Sequence, residues 1–532
     1  MLYVILILLL AFISNPFAAA WAQDKKQATA PKYGGTYRRP LGNNPSTLDP
    51  ALIADTYGFT VAQQIFDGLV QYDGSLTIIP AIAESWRASR DGLSWTFYLR
   101  KGVKFHNGRE VVADDVVYSF TRILDPRTNS KAAEIFLKVK GAKPFVEGRT
   151  RTVQGLQALD KYTVQIELQE SSAPFVASLA IGYAKIVPKE VVDKLGAAFG
   201  SQPVGTGPFK FAEWKKDETI LLQANLDYFV GRPFLDRLQY RIYPGTSMDK
   251  MYLHFENGEL EDTFIPAQEL ERQQDGQRYQ FVRRAILGVR FLGLNTAQGP
   301  LSNRMVRQAF ACAIDREGMA RDIQKGRYRP GNGFLPPGTY GYDPQFRPYT
   351  FDLERAKALL AKAGYPGGKG LPTFQLWSSV RPPDVEREHE AIKKSLAHIG
   401  IQIESQYNTN WPSFNAQVYE GKFPIFRYGW VADVPEPDNF LYRLFHSQSR
   451  NNLTRYHNER VDSLLDRARS EQDYQRRIEL YRQAESAIME DSPVIPLNYY
   501  SYERLFQPYV QSIEVSALGD PYIPMRKIWL NR

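Results

Sequence analysis

The sequence predicts an α/β protein with at least two lobes. Its 532 residues exceed the size at which one hydrophobic core keeps growing. In the second half, helical patterns alternate with strand patterns, as in helices packed around mixed sheets. No internal repeat or low-complexity linker interrupts this alternation. We therefore expect strands that cross between the lobes rather than a flexible tether.

The composition indicates a globular protein and excludes several functions. Apolar residues make up 43% of the chain and charged residues 23%, both ordinary values. The net charge of +8 is spread along the chain without a basic block, which disfavours nucleic-acid binding. Cys312 is the only cysteine, so neither an intramolecular disulfide nor a thiolate zinc site can form. Its helical surroundings predict a buried apolar role.

The amino-terminal segment resembles a secretory signal. Residues 2–13 are uninterruptedly apolar, a run shorter than the roughly 20 residues that span a bilayer. Ala20-Trp21-Ala22 follows, which predicts a signal peptide over residues 1–22 cut after Ala22. No Lys or Arg precedes the apolar run, so either the true start lies upstream or the signal is atypical. We expect a periplasmic protein, with retention as a membrane anchor as the alternative.

Local patterns predict individual elements. Alternation places Trp95, Phe97 and Leu99 on one face of a strand, and Asp114 is a candidate N-cap for the helix that follows. Asp352 is predicted to cap a second helix. Further helices are predicted from Asp384 and over residues 460–470 and 474–490, and a strand over residues 401–403.

No arrangement of residues typical of a catalytic or metal site is found. The six histidines are scattered, and HExxH, GxSxG and GxxxxGK[ST] motifs are absent from the sequence. His446 is the histidine we most expect to reach a cleft, although a structural role is favoured over metal ligation. The sequence thus predicts no enzyme activity, no cofactor and no metal.

One motif carries a resemblance to a known family. Residues 95–116 read WTFYLRKGVKFHNGREVVADDV. This pattern closely resembles the bacterial extracellular solute-binding proteins, family 5, that deliver peptides to ABC transporters. Ordered matches extend the resemblance over residues 33–530, at 34–37, 44–50, 66–70, 80–86 and 203–209.

The resemblance implies a fold and a domain division. The family has a two-lobed periplasmic-binding-protein fold with mixed sheets and an additional subdomain in the first lobe. The implied boundaries are lobe I at 33–75, 200–288 and 500–532, the extra subdomain at 76–199, and lobe II at 289–499.

The same resemblance nominates ligand-binding residues. A peptide carrier needs a buried anion for the α-amino group and a cation for the α-carboxylate, because a buried charge without a partner is costly. The segment GWVAD resembles the one that presents the amino-terminus aspartate, which falls on Asp433. Arg381 matches the carboxylate-binding arginine of dipeptide binders, and Arg427 matches one of oligopeptide binders. A capping or surface role is the alternative for each.

Four aromatic residues are candidate pocket walls. Trp430 stands beside the predicted aspartate, while Trp411, Tyr57 and Tyr499 are weaker candidates for which an ordinary core position is favoured. We therefore expect a monomeric periplasmic protein that binds a short peptide and hands it to an inner-membrane ABC permease. The alternatives are a carrier of a metal chelate, haem or other non-peptide solute, a secreted hydrolase, and a lectin-like or scaffolding protein.

Overall fold

The computed structural model describes residues 30–53, 55–172, 174–244, 248–266, 269–270, 278–432 and 434–532. The predicted signal peptide, residues 1–22, lies outside them. Eighteen strands occur among the described residues. They are β1 Thr36–Leu41, β2 Val70–Tyr72, β3 Ile78–Pro80, β4 Ala83–Ala88, β5 Ser94–Leu99, β6 Leu156–Asp160, β7 Thr163–Glu167, β8 Phe209–Lys215, β9 Thr219–Ala224, β10 Arg237–Ile242, β11 Asp262–Phe264, β12 Gln280–Leu294, β13 Phe374–Ser378, β14 Ile403–Tyr407, β15 Ile425–Val431, β16 Val494–Phe506, β17 Val510–Gln511 and β18 Trp529–Leu530.

The α-helices of the described residues alternate with these strands. They are Thr56–Ile65, Ala113–Leu124, Ala133–Phe136, Ala142–Val146, Phe175–Ser178, Lys189–Leu195, Met248–Glu256, Arg304–Ala313, Arg316–Asp322, Leu353–Lys362, Pro383–Ala397, Trp411–Tyr419, Leu441–Phe445, Glu459–Ser470 and Tyr474–Asp491. Within the described ranges, none of them has both the length and the hydropathy that a membrane span requires.

A four-stranded sheet forms the centre of the first lobe. Its strands lie in the order β1-β10-β9-β8, with β1 parallel to β10 and the remaining pairs antiparallel. Tyr37 and Tyr240 project from this sheet into a core that also contains Phe66 and Leu530, which lies near the carboxy terminus. Segments far apart in the sequence therefore share one core.

A second unit is built on the antiparallel sheet β4-β5-β7-β6. Phe97 and Leu99 of β5 are buried in its core beside Val116 of the helix Ala113–Leu124, whereas Trp95 is only partly buried. The prediction that Asp114 caps this helix is wrong, because the N-cap residue is Val112. Asp115 takes over part of the capping role, since its carboxylate accepts a hydrogen bond from the Val112 backbone N–H at 2.9 Å.

A six-stranded sheet, β11-β16-β12-β15-β13-β14, joins the lobes. Its two long strands, β12 and β16, pair antiparallel from Gln280–Phe506 at one end to Gly293–Val494 at the other. Phe506 is buried in the core of lobe I and Val494 in a core of lobe II, so both strands cross between the lobes. Their register shifts between Ala285 and Val289. The domain boundaries derived from the resemblance remain predictions.

Most of the local predictions are confirmed. The Asp352 carboxylate accepts from the Arg355 backbone N–H at 2.9 Å at the start of the helix Leu353–Lys362. The two late helices are Glu459–Ser470 and Tyr474–Asp491. The helix expected from Asp384 begins one residue earlier, at Pro383. Cys312 is fully buried in the helix Arg304–Ala313.

Candidate functional site

The candidate site lies along the edge of β15 that faces away from β12. β15 pairs with β12 along its whole length, from Ile425 to Val431. On its other side it pairs with β13 only at Ile425 and Phe426. Among the described residues, the edge from Arg427 to Val431 therefore has no strand partner on that side. Such an edge offers backbone N–H and C=O groups to an added strand.

The predicted aspartate, Asp433, follows this edge and lies outside the described residues. Its neighbours in the chain are described. Ala432 is buried in a core of lobe II and donates its backbone N–H to the Leu287 carbonyl at 2.7 Å. Val434 is buried in the core of the unit built on β4–β7. The residues on either side of position 433 thus pack in two different cores.

Arg427 projects from β15 into a buried ion pair. Its Nε donates to Oε1 of Glu388 at 2.6 Å, and the two side chains are 9% and 4% exposed. Glu388 belongs to the helix Pro383–Ala397 that packs beside the strand. Gln324 Nε2 donates to the second carboxylate oxygen of Glu388 at 3.4 Å. The charge of Arg427 is therefore already matched within the protein.

Arg381 lies just before the same helix and is mostly exposed. Its Nε donates to Oε1 of Glu386 at 2.6 Å, and its side chain is 62% exposed. The guanidinium also lies 5.0 Å from the centre of the Tyr407 ring. An exposed ion pair of this kind contributes little to stability, but it engages the charge that a ligand carboxylate would need.

Trp430 lies on the opposite face of β15 from Arg427, because side chains alternate along a strand. Its indole Nε1 donates to the Asn439 carbonyl at 2.9 Å, and its partly buried ring packs against a core of lobe II. The Arg443 guanidinium lies 5.5 Å from the ring centre. These contacts hold the ring in one orientation beside the free strand edge.

The two adjacent tyrosines of β16 occupy different environments. Tyr499 is 4% exposed, and its hydroxyl accepts from the Gly333 N–H at 3.0 Å and donates to the Gly333 carbonyl at 2.9 Å. Tyr500 is partly exposed and its ring lies over Gly288 and Gly429. A Cβ atom at position 288 would lie only 2.7 Å from the Tyr500 ring. The second tyrosine, rather than Tyr499, therefore covers the sheet surface.

The two remaining predicted residues lie elsewhere. Tyr57 is partly buried on the helix Thr56–Ile65 and packs against the core of lobe I. Trp411 begins the helix Trp411–Tyr419, and its side chain lies outside the described structure. The structure thus brings Arg427 and Trp430 together on one strand, whereas Tyr57 belongs to the other lobe.

Arg290 is absent from the residues nominated by sequence and stands directly opposite Gly429. Its guanidinium carbon lies 4.7 Å from the centre of the Tyr500 ring and 5.5 Å from that of Tyr328. Its buried Nε atom has no hydrogen-bond partner in the described structure. One signal was visible in advance: a lone arginine interrupts the apolar run ILGVRFLGL.

The buried histidines act as packing groups. Burial lowers the pKa of His389 to about 4, so its ring is neutral at pH 7 where it stacks on Tyr407. The His446 ring stacks on Tyr442, and its Nε2 lies 3.4 Å from a carboxylate oxygen of Asp466. Within the described ranges, no group of three or more His, Cys, Asp or Glu side chains is arranged to hold a metal ion.

A large surface depression lies away from these residues. It has a volume of about 880 Å³ and lies on lobe I, between residues 44–47 and strand β8. Its walls include Pro45, Phe211 and Trp214 but none of the predicted ligand-binding residues. The edge of β15, which is open at one side, is therefore a separate feature of the molecule.

Comparison with known proteins assigns the family. Residues 77–452 match the bacterial extracellular solute-binding proteins, family 5 Middle. The chain belongs to this family. It is 33% identical over 504 residues to Heme-binding protein A of Haemophilus influenzae, with 91% of this chain and 90% of the relative covered. It is 30% identical over 509 residues to Di/tripeptide-binding protein 2 of Pseudomonas aeruginosa, with 92% of each chain covered.

Solved structures give the same assignment. The periplasmic binding protein DppA of Helicobacter pylori, solved with the peptide STSA, matches with a TM-score of 0.80 and 31% identity. The match covers 94% of this chain and 99% of the other. HbpA2 of Haemophilus parasuis matches with a TM-score of 0.77 and 30% identity, over 93% of this chain and 100% of the other. The α/β, two-lobed periplasmic-binding-protein fold and the solute-binding function predicted from the sequence are thereby confirmed.

Proposed function

We propose that this protein is periplasmic, captures short peptides between its lobes and delivers them to an inner-membrane ABC permease. The observation that carries the proposal is the free edge of β15 from Arg427 to Val431. An extended peptide can add to such an edge as a further strand, so that its main chain is recognised whatever its side chains are. The Helicobacter pylori relative solved with a bound peptide supports the same choice of cargo.

The ends of the peptide are recognised by charge. Asp433 binds the α-amino group, because a buried ammonium needs a fixed anion beside it. Trp430, held by Asn439 and Arg443, forms a wall of the adjacent side-chain pocket. Lobe closure about β12 and β16 then traps the peptide, since a ligand that contacts both lobes favours the closed state. Transport requires no bond of the peptide to be made or broken.

The test is a set of calorimetric titrations with Ala-Ala-Ala. Replacing Asp433 by Ala should weaken binding about 10- to 100-fold, as expected for a lost charged hydrogen bond. N-acetylated Ala-Ala-Ala should bind both proteins weakly and nearly equally. Methylating the backbone nitrogens of the peptide should also weaken binding, because the peptide then loses the N–H groups that donate to the carbonyls of the strand edge. Failure of the unmodified protein to bind any of several tripeptides would refute the proposal.

A second candidate is a carrier of haem or another non-peptide solute. It is favoured by the relative named Heme-binding protein A, which is 33% identical along nearly the whole chain. Titration of the protein with iron protoporphyrin IX, followed by visible absorbance, distinguishes the two. Saturable one-to-one binding of the porphyrin, without binding of tripeptides, would replace the peptide assignment by this one.

A further inference from the structure

The charges around the free edge of β15 do not balance. Glu388 interacts electrostatically with Arg290, but it is hydrogen-bonded to Arg427 at 2.6 Å. In the described structure, no carboxylate lies within 4.0 Å of the Arg290 guanidinium, because none of the ion pairs there includes it. One cation of this cluster is therefore left without an anion.

Two further carboxylates, which bond arginines close in sequence to residues of this region, are already engaged. Glu503 of β16 lies 3.0 Å from the Arg283 Nε and 2.7 Å from the Arg327 Nε. Glu386 is bonded to Arg381. A rearrangement that gave Arg290 one of these partners would leave another arginine unpaired. The positive excess is thus a property of the whole cluster.

The surroundings of Arg290 are suited to hold its guanidinium in place. The aromatic rings of Tyr500 and Tyr328 lie 4.7 Å and 5.5 Å from it, close enough for cation–π attraction. Gly288 and Gly429 leave the space on the sheet that the Tyr500 ring occupies. Arg290 and both tyrosines are each partly exposed. A guanidinium held in this way, with no carboxylate partner in the described structure, is arranged to receive a carboxylate.

We propose that Arg290, held between Tyr328 and Tyr500, binds a carboxylate group of the cargo. This assignment rests on the proposed function, in which the cargo lies along β15, because Arg290 stands opposite Gly429 on the neighbouring strand. It replaces Arg381 and Arg427 as the principal carboxylate-binding residue, since both of those form ion pairs within the protein. Burial near a matching anion converts an unfavourable isolated charge into a bonded pair.

The experiment compares a carboxylate with its amide. Wild-type protein should bind Ala-Ala-Ala about tenfold or more tightly than Ala-Ala-Ala-amide, as a charged hydrogen bond implies. In Arg290→Gln this ratio should fall close to one. Arg290→Lys should restore part of it, because the charge returns without the planar fork of donors.

The matched control is Arg329→Gln. Arg329 is exposed and adjacent to Tyr328, so the substitution removes the same charge from the same neighbourhood. Its affinity ratio should remain that of the wild type. Thermal unfolding of each variant shows that it is folded. A wild-type ratio in Arg290→Gln, together with a lost ratio in Arg427→Gln or Arg381→Gln, would overturn the assignment but leave the peptide function intact.

A second experiment determines whether the carboxylate belongs to a peptide or to a porphyrin. Iron protoporphyrin IX carries two propionates, and its dimethyl ester carries none. If the protein binds the porphyrin and not the tripeptide, with a preference for the free acid that Arg290→Gln abolishes, the carboxylate site stands and the peptide function fails. If the wild type prefers neither free acid over its neutral derivative, the carboxylate site is refuted.

Discussion

Two buried charge clusters lie on the sheets of this protein, and they differ in their balance. The cluster in lobe I contains Arg39, Arg504, Asp262 and Asp520. Arg39 bonds Asp520 at 2.8 Å and Arg504 bonds Asp262 at 2.7 Å, and Arg39 also lies 3.3 Å from Asp262. These four residues link β1, β11, β16 and the turn at 520–522. Two cations meet two anions, so the formal charges of the cluster balance.

The cluster in lobe II has two cations, Arg290 and Arg427, and one anion, Glu388. Arg427 lies on the free edge of β15, and Arg290 lies on the neighbouring strand β12. The balanced cluster links elements of the fold, whereas we propose that the unbalanced one is completed by a ligand. The difference teaches that the charge balance of a buried cluster, more than the identity of its residues, separates structural groups from binding groups.

The largest expected effect tests the balanced cluster. Replacing Asp262 by Ala removes a partner of both Arg39 and Arg504, which are each 2% exposed or less. The free energy of unfolding should fall by about 3–5 kcal/mol, the usual cost of leaving a buried charge unpaired. Urea unfolding followed by circular dichroism measures it. Glu147→Ala, which removes an exposed partner of Arg149, is the control and should cost less than about 1 kcal/mol.

A smaller effect separates the two arginines of the unbalanced cluster. Arg427→Gln leaves Glu388 buried without its cation and should lower the free energy of unfolding by about 2–4 kcal/mol. Arg290→Gln breaks no ion pair, so ligand-free protein should lose less than about 1 kcal/mol. Denaturant titrations of the two variants under one condition make the comparison. Equal losses would mean that Arg290 has an internal partner and that the cluster is balanced after all.

The smallest expected effect concerns Glu485, a buried carboxyl group that forms no ion pair with an arginine in the described structure. Glu485 accepts the backbone N–H groups of Phe334 and Leu335 at 2.7 and 2.9 Å, and burial raises its pKa to about 7. A raised pKa means that the folded state holds the proton more tightly than the unfolded state. Its stabilising contribution is therefore complete below about pH 4.5 and is lost as the pH rises through 7.

The free energy of unfolding should accordingly fall by about 2 kcal/mol between pH 5 and pH 8 through this group. Glu485→Gln keeps an acceptor for both backbone N–H groups and removes the titration. Its unfolding free energy should change less over that range than that of the wild type. Parallel pH dependences in the two proteins would show that the carboxyl group does not titrate there.

Much of the fold could be predicted from local patterns. The helices Leu353–Lys362, Glu459–Ser470 and Tyr474–Asp491 follow from periodicity and caps, both of which depend on residues a few positions apart. The capping prediction failed at Asp114 because two adjacent aspartates offer the same chemistry. The path of the backbone decides which of the two takes part in capping. The Asp115 carboxylate accepts the hydrogen bond from the Val112 N–H.

The site was predictable to a smaller extent. Motif resemblance nominated Arg427 and Trp430, which both lie on β15, and their binding roles remain predictions. The resemblance could not show that Tyr499 packs inward while Tyr500 covers the sheet. In this region the pairing of β12 with β16 shifts its register. Arg290 carries no motif and was overlooked.

By itself, the sequence determined the family and the α/β class, because periodicity and motifs are local properties of the chain. Only the tertiary structure decided which arginine lacks an anion. Arg427 meets Glu388 across 39 residues, and Arg327 meets Glu503 across 176. Such pairs form when distant segments pack together, and the unpaired charge of Arg290 is defined only after every other pair has formed.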